Sequence, residues 1–231
     1  MQRPMSVVFF DIDGTLIRRS GPRHRAALEY ATRRALGVSA STDGIPVHGM
    51  LDTGILALML RREGVPLARI RELMPELIQV SERRYLRDGP ESLEKRVCPG
   101  VRGLLSRLQR RNVPMLLVTG NFPGIGWRKM EKAGLSSYFR DGAFAGMSPT
   151  RAGLARIALR KANEAGWLRS PRSAVLIGDS PNDIDAARKN GIRSIAVSSG
   201  ISTHEELAAH QPDLLVRRLS ELRLATLLGL E

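Results

Sequence analysis

Two aspartates one residue apart, Asp11 and Asp13, close the apolar run Ser6-Val7-Val8-Phe9-Phe10 and lead into Gly14-Thr15-Leu16. In an extended chain residues i and i+2 point the same way, so these carboxylates can share one small volume. Carboxylates that close repel each other unless a cation or a shared proton sits between them. The pair therefore implies a metal ion or acid–base chemistry. Two further stretches place reactive side chains after apolar runs: Thr119-Gly120-Asn121, and Gly178-Asp179-Ser180-Pro181-Asn182-Asp183. Each has a bland reading as a strand-ending turn or a helix cap. Taken jointly the bland readings fail, because three capping aspartates and a threonine would have to fall by chance at one sheet edge.

The elements that would position them follow from periodicity. Val7–Phe10 is apolar, β-branched and aromatic, as expected of a buried strand in a parallel sheet. Strands are also predicted over 114–118, 173–177, 194–197 and 213–216, with a short strand-like piece near Phe144. Helical spacing falls between them, around 101–108, 124–134, 150–165 and 182–190. This alternation predicts an α/β fold, a Rossmann-like parallel sheet with helices on both faces. Ligands of such sheets lie beyond the carboxyl ends of the strands, where the three polar stretches fall. Residues 19–95 show no strand-like alternation. They carry three helices, one with Ala27, Tyr30, Ala31 and Ala35, one with Leu51, Ile55, Leu58 and Met59, and one from Pro66 with Leu67, Ile70, Leu73 and Leu77. The expected organisation is a core of residues 1–18 and 96–231 interrupted by a small helical insert, 19–95.

Composition narrows the classes. At 231 residues, with 42% hydrophobic and 26% charged, the chain can bury a full core. No apolar run approaches the ~18 residues of a membrane span, and residues 5–10 are too short for a signal-peptide core. The single cysteine, Cys98, excludes an internal disulfide and reads as a packed small residue, so the cytoplasm is the expected home. The net charge of +13 and pI near 11.1 invite a nucleic-acid reading. Arginines are scattered over nearly every element, however, and no zinc-finger spacing or RNA-recognition pattern accompanies them. A generally basic surface that draws in small anions is the preferred reading.

The ordered set Asp11-x-Asp13-Gly14-Thr15, Thr119-Gly120-Asn121 and Gly178-Asp179-Ser180-Pro181-Asn182-Asp183 resembles the haloacid-dehalogenase-like (HAD) hydrolase superfamily. Within it, the phosphoglycolate-phosphatase-like branch with an inserted helical cap is the nearest pattern, and the resemblance spans nearly the whole chain. It implies a phosphomonoesterase acting on a small phosphorylated metabolite. Asp11 would attack phosphorus and form an aspartyl-phosphate. Asp13 would protonate the leaving oxygen and then activate the water. Thr119 Oγ and the amides of Gly120 and Asn121 would hold the phosphoryl oxygens. The resemblance also implies Mg²⁺, held by Asp11, the backbone carbonyl of Asp13 and Asp179, with Asp183 turned back toward it from the next helix. The pattern usually has a lysine before the last motif. In Ser148-Pro149-Thr150-Arg151 the matching cation is Arg151, as in some relatives of the branch; Lys161 is the fallback. The cap motif is usually Gly-(Lys/Arg)-Thr-Asp, whereas here it reads Gly49-Met50-Leu51-Asp52, without the cation.

Since such a core would recognise only phosphoryl group and metal, the insert should set specificity. Arg18, Arg19, His48 and Asp52 are the candidates, while His24, His204 and His210 read as surface residues. The linkers 17–21 and 95–100 would form the hinge. Two alternatives remain: a phosphomutase of the β-phosphoglucomutase kind, and a non-catalytic basic binding protein on the same fold. Carbon–halogen chemistry fits poorly with an acid at position 13, and phosphonate cleavage fits poorly with an insert whose only lysine is Lys95. Oligomeric state is left open.

Overall fold

β1 (Val7–Phe10) is buried at every position and its side chains divide the interior in two. In the computed structural model, which describes residues 6–18 and 21–229, Val8 and Phe10 join a cluster with Val101, Leu104, Leu105 and Leu108 of α4 (Val101–Arg110). Val7 and Phe9 point the other way, into Leu154, Ala155, Ala158 and Ala162 of α6 (Arg151–Glu164) and Ala186 and Ala187 of α7 (Pro181–Lys189). This alternation is the pleat at work, and it calls for helices on both faces.

The sheet is six-stranded and parallel throughout, in the order β3-β2-β1-β4-β5-β6. Its strands are β2 (Met115–Val118), β3 (Asp141–Ala143), β4 (Ala174–Gly178), β5 (Arg193–Val197) and β6 (Leu214–Val216), with β1 between β2 and β4. The strand expected near Phe144 is the Asp-Gly-Ala segment just before it. Its residues have little strand preference, and it exists because Leu116, Leu117 and Val118 offer it a partner. α5 (Pro123–Lys132), α8 (His204–Ala209) and α9 (Leu224–Leu228) complete the crossovers and the C-terminal cover.

Between β1 and α4 the described residues form α1 (Arg23–Leu36), α2 (Asp52–Arg62) and α3 (Leu67–Asp88), with no strand. They share an apolar cluster of their own, built on Leu28, Ile55, Leu56, Met59, Leu60 and Leu77. Leu58, expected on the inner face of α2, is 38% exposed, and Leu56 takes its place. The cluster also takes in Phe122 and Ile125 from the start of α5, so the insert packs on the catalytic edge of the sheet. Its two connections run side by side: Cys98 N donates to Leu16 O (3.0 Å), Arg18 N to Arg96 O (2.7 Å), and Ile17 bridges Val97. Cys98 is packed there, 2% exposed, as a small core residue.

The insert also docks by backbone contact. Asp52 N donates to Gly120 O at 2.8 Å. A Cβ on Gly120 would lie 2.2 Å from Met50 O, so only glycine permits this approach. Asn182 Nδ2 donates to Gly49 O at 3.0 Å. The cap motif thus rests on the two loops that follow β2 and β4.

Phe10 is fully buried next to Asp11 and meets Phe139 edge-on, 5.9 Å between ring centroids. Phe10→Ala should cost about 3–5 kcal/mol by urea denaturation. A loss below about 1 kcal/mol would mean β1 is not the central element described.

Candidate active site

Past Phe10 the chain stays in register for one more residue, with Asp11 N donating to Ile177 O at 3.0 Å. It then folds into a tight turn in which Leu16 N and Ile17 N both donate to Ile12 O. Asp11 and Asp13 therefore line one cleft but meet different cations. Arg151, the first residue of α6, places Nη2 2.9 Å from Asp11 Oδ1 and Nε 2.8 Å from Asp183 Oδ1. Lys129, on α5, places Nζ 2.6 Å from Asp13 Oδ2.

Asp11, Asp179 and Asp183 are buried and offer carboxylate oxygens that all lie within 4.8 Å of one another. Asp179 ends β4, and Asp183 is turned back by the first turn of α7. There its Oδ2 accepts from Ser180 N (3.3 Å) and Ser180 Oγ (3.0 Å). Asp183 is thus both part of a capping box and a member of the cluster. Thr15 Oγ1 donates to Asp179 Oδ1 at 3.3 Å, while Asp179 Oδ2 is buried without a hydrogen-bond partner. Space around that oxygen is kept by glycines, since a Cβ on Gly14 or Gly200 would sit 2.1 or 1.6 Å from it.

These observations fit a hard divalent cation. Three carboxylates against one guanidinium leave two negative charges in excess, the donors are all oxygen, and Asp179 Oδ2 and Asp183 Oδ1 have no hydrogen-bond partner. The Asp13 carboxylate lies outside the cluster. Without such a cation, burial pushes the Asp11 carboxyl up to about 7, with Asp183 and Asp13 adding to the rise and Arg151 opposing it. Burial and the charges of Asp11 and Asp183 likewise hold Asp179 well above the usual carboxylate range.

Asp13 goes the opposite way. Burial works against its charge, but Lys129 and His24 outweigh burial and hold it below the ordinary value. Lys129 is fully buried and also donates to Asn121 Oδ1 at 2.6 Å. Asn121 Nδ2 lies 2.9 Å from Asp13 Oδ2 and 2.7 Å from Thr119 Oγ1. His24 Nδ1 is 3.2 Å from Lys129 Nζ, and its Nε2 is 3.0 Å from Asp52 Oδ2, which also accepts from Phe122 N at 2.8 Å. His24 is therefore part of the site and not a plain surface residue, and Asp52 ties insert to core. Lys129 has no place in the sequence reading. Its one signal is position, because it falls four residues after Ile125 and seven after Phe122, on the apolar stripe of α5.

Thr119 and Gly120 face the cleft beside Asp11. His48 reaches it too, with Nε2 3.8 Å from Asp179 Oδ2 and 3.1 Å from Ser202 Oγ. Arg18 lines the mouth and is exposed, and Arg19 lies outside the described residues. Lys161 is paired with Asp141 at 2.9 Å and with Gly142 O, at the far end of α6 from Arg151. It has no part in the cluster.

The family model for haloacid dehalogenase-like hydrolases matches residues 5–191. The chain belongs to that family, and with this fold and site it is a phosphatase of the HAD type. A phosphoglycolate phosphatase of Vibrio vulnificus is similar at 28% identity over 224 residues, 96% of each chain. A phosphoserine phosphatase of Rattus norvegicus is 28% identical over 198 residues, 78% of this chain and 76% of that one. Among solved structures, the β-phosphoglucomutase of Clostridium difficile superposes with a TM-score of 0.70 at 19% identity, covering 96% of this chain and 95% of that one. That last likeness concerns the fold. Among the described residues no helix is long and apolar enough to cross a membrane.

The pH dependence of stability follows from the raised acids. A carboxyl whose folded pKa lies above its unfolded value stabilises fully below the unfolded value, and that contribution is lost as pH rises through the folded one. For Asp11 the window runs from about 4 to about 7. In EDTA the melting temperature should therefore fall from pH 5 to pH 8. Added Mg²⁺ should raise it more at pH 8, where the ligands are ionised, than at pH 5. Equal Mg²⁺ shifts in scanning fluorimetry at both pH values would argue that the cluster does not hold the ion.

Proposed function

We propose that the protein is a Mg²⁺-dependent phosphomonoesterase that hydrolyses a small anionic phosphorylated metabolite through an aspartyl-phosphate on Asp11. The observation that carries this reading is the buried set of Asp11, Asp179 and Asp183 around one guanidinium at the carboxyl edge of the sheet. Bound Mg²⁺ would screen the phosphoryl oxygens, the screening an anionic nucleophile needs. Asp11, the Asp13 carbonyl, Asp179 and Asp183 would hold it.

Arg151 steadies Asp11 and adds positive charge beside the phosphoryl site, the role of the lysine in the usual pattern. Thr119 Oγ with the Gly120 and Asn121 amides would bind the phosphoryl oxygens. Asp13 takes the acid–base role. Lys129 and Asn121 fix its carboxylate and keep it ionised, the state in which it can take a proton from the attacking water. To protonate a leaving group it must first gain a proton against the pull of Lys129. Residues 19–95 act as the cap over a core of 1–18 and 96–231. The linkers 17–21 and 95–100 would serve as the hinge, and Arg18, Arg19, His48 and Asp52 are the candidates for setting specificity. A cytoplasmic location fits a metabolite substrate and a lone buried cysteine.

Asp11→Asn should abolish phosphate release from a metabolite panel, and EDTA should abolish it in the wild type until Mg²⁺ is restored. Turnover that survives in the Asn variant would remove Asp11 as nucleophile. Lys129→Met leaves Asp13 and Asn121 without their cation. A charge-assisted bond of about 1.5–3 kcal/mol corresponds to a roughly 10- to 150-fold fall in kcat with the fold intact by circular dichroism. A change below twofold would mean that Lys129 only fills space.

A further inference from the structure

The cleft over Asp11 has a volume of about 570 Å³. Pockets of that size hold ligands of drug-like dimensions. A two-carbon phosphate such as phosphoglycolate would leave most of it empty. From the insert the cleft is lined by the apolar Leu28, Val47, Met50 and Ile55 together with His24, Arg25, Thr42, His48 and Asp52. Leu28 and Ile55 are nearly sealed in the insert's own core, whereas Val47 and Met50 are partly open to the cleft.

Position 50 is where the family pattern has lysine or arginine. Here the Met50 backbone is pinned against Gly120, and its methyl group lies over Gly54 of α2, 3.6 Å from where a Cβ would stand. A thioether thus replaces that cation on a residue that lines the cleft. Thioethers adapt to apolar surfaces of varied shape. The nearest exposed cations on the insert side, Arg18 and Arg25, stand at the mouth.

From this wall we infer that the preferred substrates are phosphomonoesters whose leaving group carries an apolar body of several carbons next to the phosphoryl oxygen, not a short carboxylate. The inference rests on the phosphatase reading. It assigns Met50 and Val47 to specificity by contact with that body, while the acid cluster handles the phosphoryl end unchanged.

The test is steady-state phosphate release from methyl, butyl and benzyl phosphate, primary alkyl esters that differ chiefly in apolar bulk, alongside 2-phosphoglycolate. Each methylene buried against the wall is worth about fourfold. For the wild type, kcat/KM should therefore rise at least tenfold from methyl to benzyl phosphate, with 2-phosphoglycolate below benzyl phosphate. Met50→Arg should lower the ratio of benzyl phosphate to phosphoglycolate by tenfold or more. A flat or falling series with phosphoglycolate preferred would overturn the inference and leave the phosphatase reading standing. Absence of release from all four compounds, with the wild type no better than Asp11→Asn, would overturn both. The wild-type series needs no variant, so misfolding of Met50→Arg would not shield the idea.

Discussion

Like-charge crowding is the constraint on which this molecule turns. Asp11, Asp179 and Asp183 bring oxygens within 4.8 Å of one another in a buried edge of the sheet. At an effective dielectric near 20, two unit charges at that separation repel by roughly 3–4 kcal/mol. Such a cluster persists only because the strands and the α7 cap hold it and Arg151 answers part of the charge. The remainder is what makes the site electrostatically incomplete without a divalent ion. Burial, with that imbalance adding to it, raises Asp11 and Asp179 in the absence of such an ion.

Around the cluster, the chain separates its two leading acids by giving each a different cation. Arg151 comes from the face of the sheet covered by α6, and Lys129 comes from α5. One-residue spacing alone would leave Asp11 and Asp13 to perturb each other. Once separately paired, they sit in environments that push their protonation in opposite directions, Asp11 upward by burial and Asp13 downward beside Lys129. The chain of contacts from Asp13 through Lys129 and His24 to Asp52 then runs into the insert and returns to the core at Phe122 N. The geometry of Asp13 is therefore tied to how the insert is seated.

Much of this was legible in the sequence because it depends on local spacing. The buried run before Asp11, the residues closing β2 and β4, and the four-residue step from Asp179 to Asp183 each follow from strand or helix geometry. What was not legible depends on partners distant in sequence. Lys129 stands in the string Trp127-Arg128-Lys129-Met130, where it looks like any solvated helix cation until its apolar-stripe position is weighed. His24 is hidden in the same way, four residues before buried Leu28 in an arginine-rich helix start. β3 was blurred because an edge strand of Asp-Gly-Ala takes its conformation from its neighbour and not from its own residues.

Several of the arginines are paired locally, away from the site. Arg69–Glu72, Arg84–Asp88, Arg128–Glu131, Arg188–Asp185 and Arg218–Glu221 are pairs three or four residues apart on helix faces. Pairs of this kind are worth only tenths of a kcal/mol and keep arginine heads in solvent. Arginine in this chain is largely a helix-surface residue, spread over many elements and not gathered into one stripe. Among the described arginines Arg151 is the buried exception. It has the same side chain at a helix start, but it is 7% exposed and set between two aspartates, and that burial turns a common surface residue into part of the site. Burial of a charge, more than its abundance, separates the functional cations from the decorative ones, and it marks Arg151 and Lys129 alike.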